Sequence, residues 1–100
     1  MKRNLIRYRT AQDRAAENEA LIKSVFEELQ AKTPTGLRYL VLNLGDGHFV
    51  HFVEADEDGP SPLPQLESFK TFQRGLKDRQ VEPTSVSSVT IVSDYHMLAK

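Results

Sequence analysis

Residues 36–54, GLRYLVLNLGDGHFVHFVE, hold two β-rich runs around a Gly-Asp-Gly turn. Asp-Gly tolerates the positive φ angles of tight hairpin turns, so the stretch predicts two antiparallel strands. Neighbouring side chains on a strand point to opposite faces. Leu40, Leu42 and Leu44 therefore share one face, and Tyr39, Val41 and Asn43 the other. On the second strand Phe49, His51 and Val53 oppose His48, Val50, Phe52 and Glu54. His48 and His51, three residues apart, are sent to opposite faces, so a joint metal site would need a bulge.

Before the hairpin, Leu5–Arg9 is short, rich in β-formers and alternating, which predicts a first strand. Its Arg7 shares a face with Leu5 and Arg9, opposite Ile6 and Tyr8. A helix is predicted over residues 13–32, with Thr10 or Asp13 as its cap. Leu21, Ile22, Val25, Phe26 and Leu29 form its apolar face. Glu19–Lys23 and Glu28–Lys32 make i,i+4 pairs in the favourable order. Thr33-Pro34-Thr35-Gly36 ends it, because proline cannot continue a helix.

After the hairpin, residues 55–65 read as an acidic, then proline-rich loop. A second helix follows, with Pro64 at its first position and Leu66, Phe69, Phe72 and Leu76 spaced along it to about Arg79. Gly75 weakens it locally. The β-branched run Val86–Val92 predicts the last strand. The order β-α-β-β-α-β makes the fold class α+β and ferredoxin-like. It predicts a four-stranded antiparallel sheet with two helices on one face, in a single domain over residues 1–100.

Thirteen basic and 14 acidic side chains leave a formal charge of −1 across 100 residues, which offers no basic surface for nucleic acid. There is no cysteine, so disulfides, thiolate metal sites and thiol nucleophiles are excluded, and a cytoplasmic location is expected. No apolar run approaches the ~20 residues of a membrane span. The Asp56-Glu57-Asp58-Gly59-Pro60 loop lacks the ligand spacing of a calcium-binding hand. His96 falls in a tail, residues 94–100, where fraying is expected. No hydrolase, zinc-protease, nucleotide-phosphate or dinucleotide fingerprint occurs.

Both faces of the hairpin carry large apolar groups, although the helices can cover only one. An uncovered apolar face marks an interface, and an isologous homodimer packed sheet against sheet is the expected partner. The β-α-β-β-α-β order and the runs LIRYR, ENEALIKSVFEEL, GLRYLVLNLGDGHFVHFVE and PLPQLESFKTFQ resemble the antibiotic biosynthesis monooxygenase-like domains. The resemblance spans roughly residues 3–95. It implies a dimeric α/β barrel, with a pocket between sheet and helices or inside the barrel. It also implies cofactor-independent oxidation of an aromatic small molecule as one activity among several. The chain departs from the haem-degrading members, and from some quinone-forming ones, in having no tryptophan.

His51 sits in the middle of a central strand, where burial obliges its ring nitrogens to find partners. Its ordinary pKa of about 6.5 suits proton abstraction from a phenol or an anthrone-like carbon acid. It is the candidate base; the other reading is a histidine hydrogen-bonded within the core. Tyr39, Asn43 and Arg7 are the candidates for orienting substrate or stabilising an enolate oxygen. Arg7 can instead pair with Glu54. No metal and no cofactor are expected. The function expected is that of a monooxygenase-like protein; the alternative is a non-catalytic ligand-binding or interaction domain on the same dimer.

Overall fold

A computed structural model describes residues 1–98. Four strands, β1 (Lys2–Thr10), β2 (Leu37–Gly45), β3 (His48–Ala55) and β4 (Gln80–Ser88), form one antiparallel sheet in the order β2-β3-β1-β4. Helices α1 (Ala15–Lys32), α2 (Glu67–Arg74) and the short α3 (Leu76–Arg79) lie in the two crossovers. This is the α+β ferredoxin-like arrangement expected from the order of elements. The core forms where Ile22, Val25, Leu66, Phe72 and Leu76 meet Tyr8 and Phe49 of the sheet.

The hairpin turns at Asp46-Gly47, both at positive φ (53° and 81°). That conformation matches the right-handed twist of the strands it joins. Asn43 pairs with Phe49 and Gly45 with His48, so Leu44 is an extra residue bulged out of β2. Asn43 Oδ1 accepts the Gly45 N–H at 2.8 Å and holds the bulge.

Three boundaries differ from expectation. Neither Thr10 nor Asp13 caps α1: a single 3-10 turn, Gln12–Arg14, leads in, and no side chain caps it. The second helix is divided, because Pro64 lies in a 3-10 turn (Leu63–Gln65) and Gly75 separates α2 from α3. A Cβ on Gly75 would stand 2.7 Å from Arg79 Nη1, so the glycine makes room for that guanidinium to fold back.

The last strand is Gln80–Ser88 and not Val86–Val92. Two facts explain the shift. β4 is an edge strand, and its register slips between Arg7↔Ser85 and Arg9↔Glu82, placing Pro83 in a bulge where no ladder hydrogen bond is lost. Beyond Ser88 only two residues of the partner strand are left: Ser88 faces Asn4, and the Val89 N–H reaches Arg3 O at 3.1 Å, one residue from the start of β1 at Lys2. The tail falls partly outside the described residues; His96 is described, at φ 50°.

Face assignment follows from register. Ile6 and Tyr8, Phe49 and His51, Tyr39 and Val41 all look toward the helices. Leu5, Leu40, Leu42, Val50 and Phe52 look the other way, and within one protomer Leu42 is 50% exposed. On that open face Glu54 lies between Arg3, at 2.5 Å, and Arg38, at 3.8 Å, from the two flanking strands. The expected Arg7–Glu54 pair is therefore replaced by Arg3 and Arg38, which stand directly opposite Glu54 in the register.

Candidate functional site

β3 carries His51 into the layer between sheet and helices, where it is 3% exposed. A buried imidazole needs partners for both nitrogens. Its Nε2 lies 2.8 Å from the Tyr8 hydroxyl and its Nδ1 2.6 Å from the Tyr39 hydroxyl. The network continues inward. Asn18 Nδ2 donates to Tyr8 Oη at 2.9 Å, Arg79 Nε donates to Asn18 Oδ1 at 3.0 Å, and Arg79 Nη2 donates to Phe72 O at 2.9 Å. The Arg79 guanidinium also sits 5.3 Å from the centre of the Phe72 ring. Five side chains from α3, α1, β1, β3 and β2 thus form one buried polar run, fully partnered among the described residues.

Burial sets the protonation states. It holds the His51 imidazole down to about 4, so the ring is neutral at physiological pH. Burial pushes the Tyr8 phenol up to about 12, against the Asn18 hydrogen bond and the Arg79 charge that pull it down. Tyr39 is raised too, first by burial and then by neighbouring Tyr8. Arg79 is lowered by burial, an effect the Glu17 carboxylate opposes, and arginine stays cationic all the same.

Between α1 and β2 runs a groove of about 680 Å³, within the range of small-molecule sites. Ile22, Phe26, Tyr39, Val41, Asn43 and Phe49 form its walls, and Glu19, Lys23 and Glu27 border it. Phe26 stacks on Tyr39 with ring centres 4.9 Å apart. Asn43 Nδ2 donates to Glu19 Oε2 at 3.0 Å.

Of the residues expected at the site, His51, Tyr39 and Asn43 lie on the helix-facing side. Tyr39 and Asn43 line the groove; His51 does not, and meets it through Tyr39. Arg7 is exposed on the opposite face, beside a smaller hollow of about 270 Å³ with His48, Val50 and Glu82, so it does not join the other three. His48 also lies on that face, separated from His51 by the strand. Among the described residues no three His, Asp or Glu side chains converge as a metal ion would require. Sequence reasoning missed Asn18 and Arg79. The signal for Asn18 was its place in the α1 stripe, four residues before Ile22 and seven before Val25, where it is fully buried.

No protein-family model and no curated protein matches the chain. Solved structures do. A candidate antibiotic biosynthesis monooxygenase from B. thetaiotaomicron superposes with a TM-score of 0.76 at 19% identity, covering 92% of this chain and 90% of that one. A candidate antibiotic biosynthesis monooxygenase from Nitrosomonas europaea gives 0.72 at 13% identity, covering 91% and 89%. A Mycobacterium tuberculosis protein, Rv0793, gives 0.70 at 15% identity, covering 93% and 96%. The chain has the α+β fold of the antibiotic biosynthesis monooxygenase-like proteins.

Proposed function

We propose that the groove between α1 and β2 binds an aromatic small molecule, and that the protein oxidises it with dioxygen and without a cofactor. The observation that carries this reading is Tyr39, a residue of the groove wall whose ring is fixed by its stack on Phe26 and whose hydroxyl is fixed by its bond to His51. A rigid hydroxyl of this kind stabilises the oxyanion that forms when an anthrone-like carbon acid loses its proton. Glu19, held by Asn43, is the carboxylate in reach to take that proton. The enolate then gives electrons to dioxygen, and the balance is one CH₂ plus O₂ to one C=O plus water. His51 serves here as support for Tyr39, because both its nitrogens are engaged and its depressed pKa makes it a weak base.

Oxygen uptake with anthrone tests the reading. Wild type should consume oxygen, and Tyr39→Phe and Glu19→Gln should each be at least tenfold slower. Full rates in both variants would refute the assignment. Binding of anthrone with no uptake would favour the second reading, a ligand-binding domain, which the fully partnered His51 also fits.

The open sheet face supports a homodimer as the working unit, a single domain per chain. Leu5, Leu40, Leu42, Val50 and Phe52 present apolar surface with no helix to cover it. A second copy packed on that face would close the barrel. Among the described residues no helix is long and apolar enough to cross a membrane. The lack of cysteine suits work in the cytoplasm.

A further inference from the structure

The buried polar run has a direction, and its residue chemistry sets that direction from one end. Arginine can only donate, so Arg79 Nε at 3.0 Å makes Asn18 Oδ1 an acceptor and turns the amide nitrogen toward Tyr8. Asn18 Nδ2 then donates to the Tyr8 oxygen at 2.9 Å, which leaves the single Tyr8 hydrogen for His51 Nε2 at 2.8 Å. A neutral imidazole that accepts at Nε2 carries its hydrogen on Nδ1. That hydrogen goes to the Tyr39 oxygen at 2.6 Å. One hydrogen is left over, on the Tyr39 hydroxyl, and Tyr39 is a wall of the groove. The opposite tautomer would load the Tyr8 oxygen with two donors and strand its own hydrogen in a buried site, where an unmade bond is costly.

We propose that Arg79 and Asn18 polarise this chain so that Tyr39 faces the groove as a hydrogen-bond donor, and that the groove thereby selects aromatic ligands bearing an acceptor oxygen, a carbonyl or phenolate. The selectivity rests on the groove being the ligand site; the polarity does not. Asn18 and Arg79 are positioning residues, since they act on the ligand only through Tyr8, His51 and Tyr39. Asn18 reaches no part of the groove wall, yet it decides whether that wall offers a hydrogen or a lone pair.

The test changes one atom group. An aspartate at position 18 can only accept, so Asn18→Asp would take Arg79 on one oxygen and the Tyr8 hydroxyl on the other. Tyr8 would then accept from Nε2–H, Nδ1 would accept from the Tyr39 hydroxyl, and the groove would face an oxygen lone pair. Nitrogen NMR of the histidine-labelled full chain should report the Nδ1–H tautomer of His51 in wild type and the Nε2–H tautomer in Asn18→Asp. Arg79→Lys, which keeps a donor beside Asn18, should retain Nδ1–H. Tetralone, an aromatic ketone, should bind wild type about fivefold tighter than its oxygen-free counterpart tetralin, the worth of one neutral hydrogen bond. That ratio should fall to about one in Asn18→Asp. An Nε2–H tautomer in wild type would overturn the polarity, and that measurement requires no variant to fold. An unchanged tautomer in Asn18→Asp would remove the control assigned to Asn18. Nδ1–H in wild type with no binding of either probe would leave the polarity standing, and would refute both the selectivity and the groove as ligand site.

Discussion

Lowering the pH should destabilise this protein through His51 by a calculable amount. The imidazole titrates at 6.5 in an unfolded chain and near 4 when buried between Tyr8 and Tyr39. Between those values the unfolded chain binds a proton that the native chain refuses. The group's contribution is therefore complete above pH 6.5 and is lost as pH falls toward 4. Relative to pH 7, linkage puts the loss at about 2 kcal/mol by pH 5 and about 3 kcal/mol by pH 4. Against a net stability of roughly 5–15 kcal/mol for a domain, this is a large fraction. The control is His51→Gln, whose amide keeps a donor and an acceptor but does not titrate. Urea unfolding of both proteins at pH 7, 6, 5 and 4 gives the difference directly. Carboxylates common to both cancel. Among them is Glu28, drawn down to about 2 by Lys32 and by the Ser68 hydroxyl and N–H. Wild type should lose about 3 kcal/mol more than the variant by pH 4. Parallel curves would refute the reasoning, because they would mean that the native site admits the proton without cost.

Two further outcomes follow from the sheet. Leu42→Asp, at a half-exposed position of the open face, should leave the fold of one protomer intact and halve the mass seen by light scattering at micromolar concentration; a wild type that already runs as a monomer would refute the dimer. Gly47→Ala should cost about 2 kcal/mol or more in thermal or urea unfolding. The residue sits at φ 81° and its new Cβ would collide with the Thr10 carbonyl. A change within experimental error would mean that the turn relaxes more freely than its contacts imply.

The fold was legible in the sequence where a local pattern had only one solution. The Asp46-Gly47 turn and the alternation on either side of it decided the hairpin, but not its register or the face that His51 shares, because nothing local signals the extra Leu44 in β2. The α1 stripe and the Pro34 stop decided the first helix to within two residues. The last strand was misplaced because Val86–Val92 has the higher β-propensity, whereas pairing depends on where β1 ends, which is not local to that stretch. At the site, alternation grouped the residues within each strand, but whether His51 shares a face with Tyr39 depended on the register, and their partners could not be read at all. Asn18 and Arg79 meet across 61 positions of chain, and nothing within either helix signals that contact except polar residues where packing should be apolar. Arg7 was grouped with His51 on residue type, and the alternation that separates them was already present in LIRYR.

Both free edges of the sheet are interrupted. β2 carries the extra Leu44, and β4 carries extra residues opposite Tyr8 and next to Thr10, with Pro83 among them. A flat strand edge is a template on which another chain can add, and the next after it, without limit. A bulge twists the edge away and a proline withholds a donor, so neither border here suits that growth. The dimer proposed above through the leucine-bearing face would be of another kind: an isologous contact uses up the surface that makes it, and stops at two. The same irregularities that obscured the last strand in the sequence thus leave neither border of the sheet suited to open-ended growth into fibres.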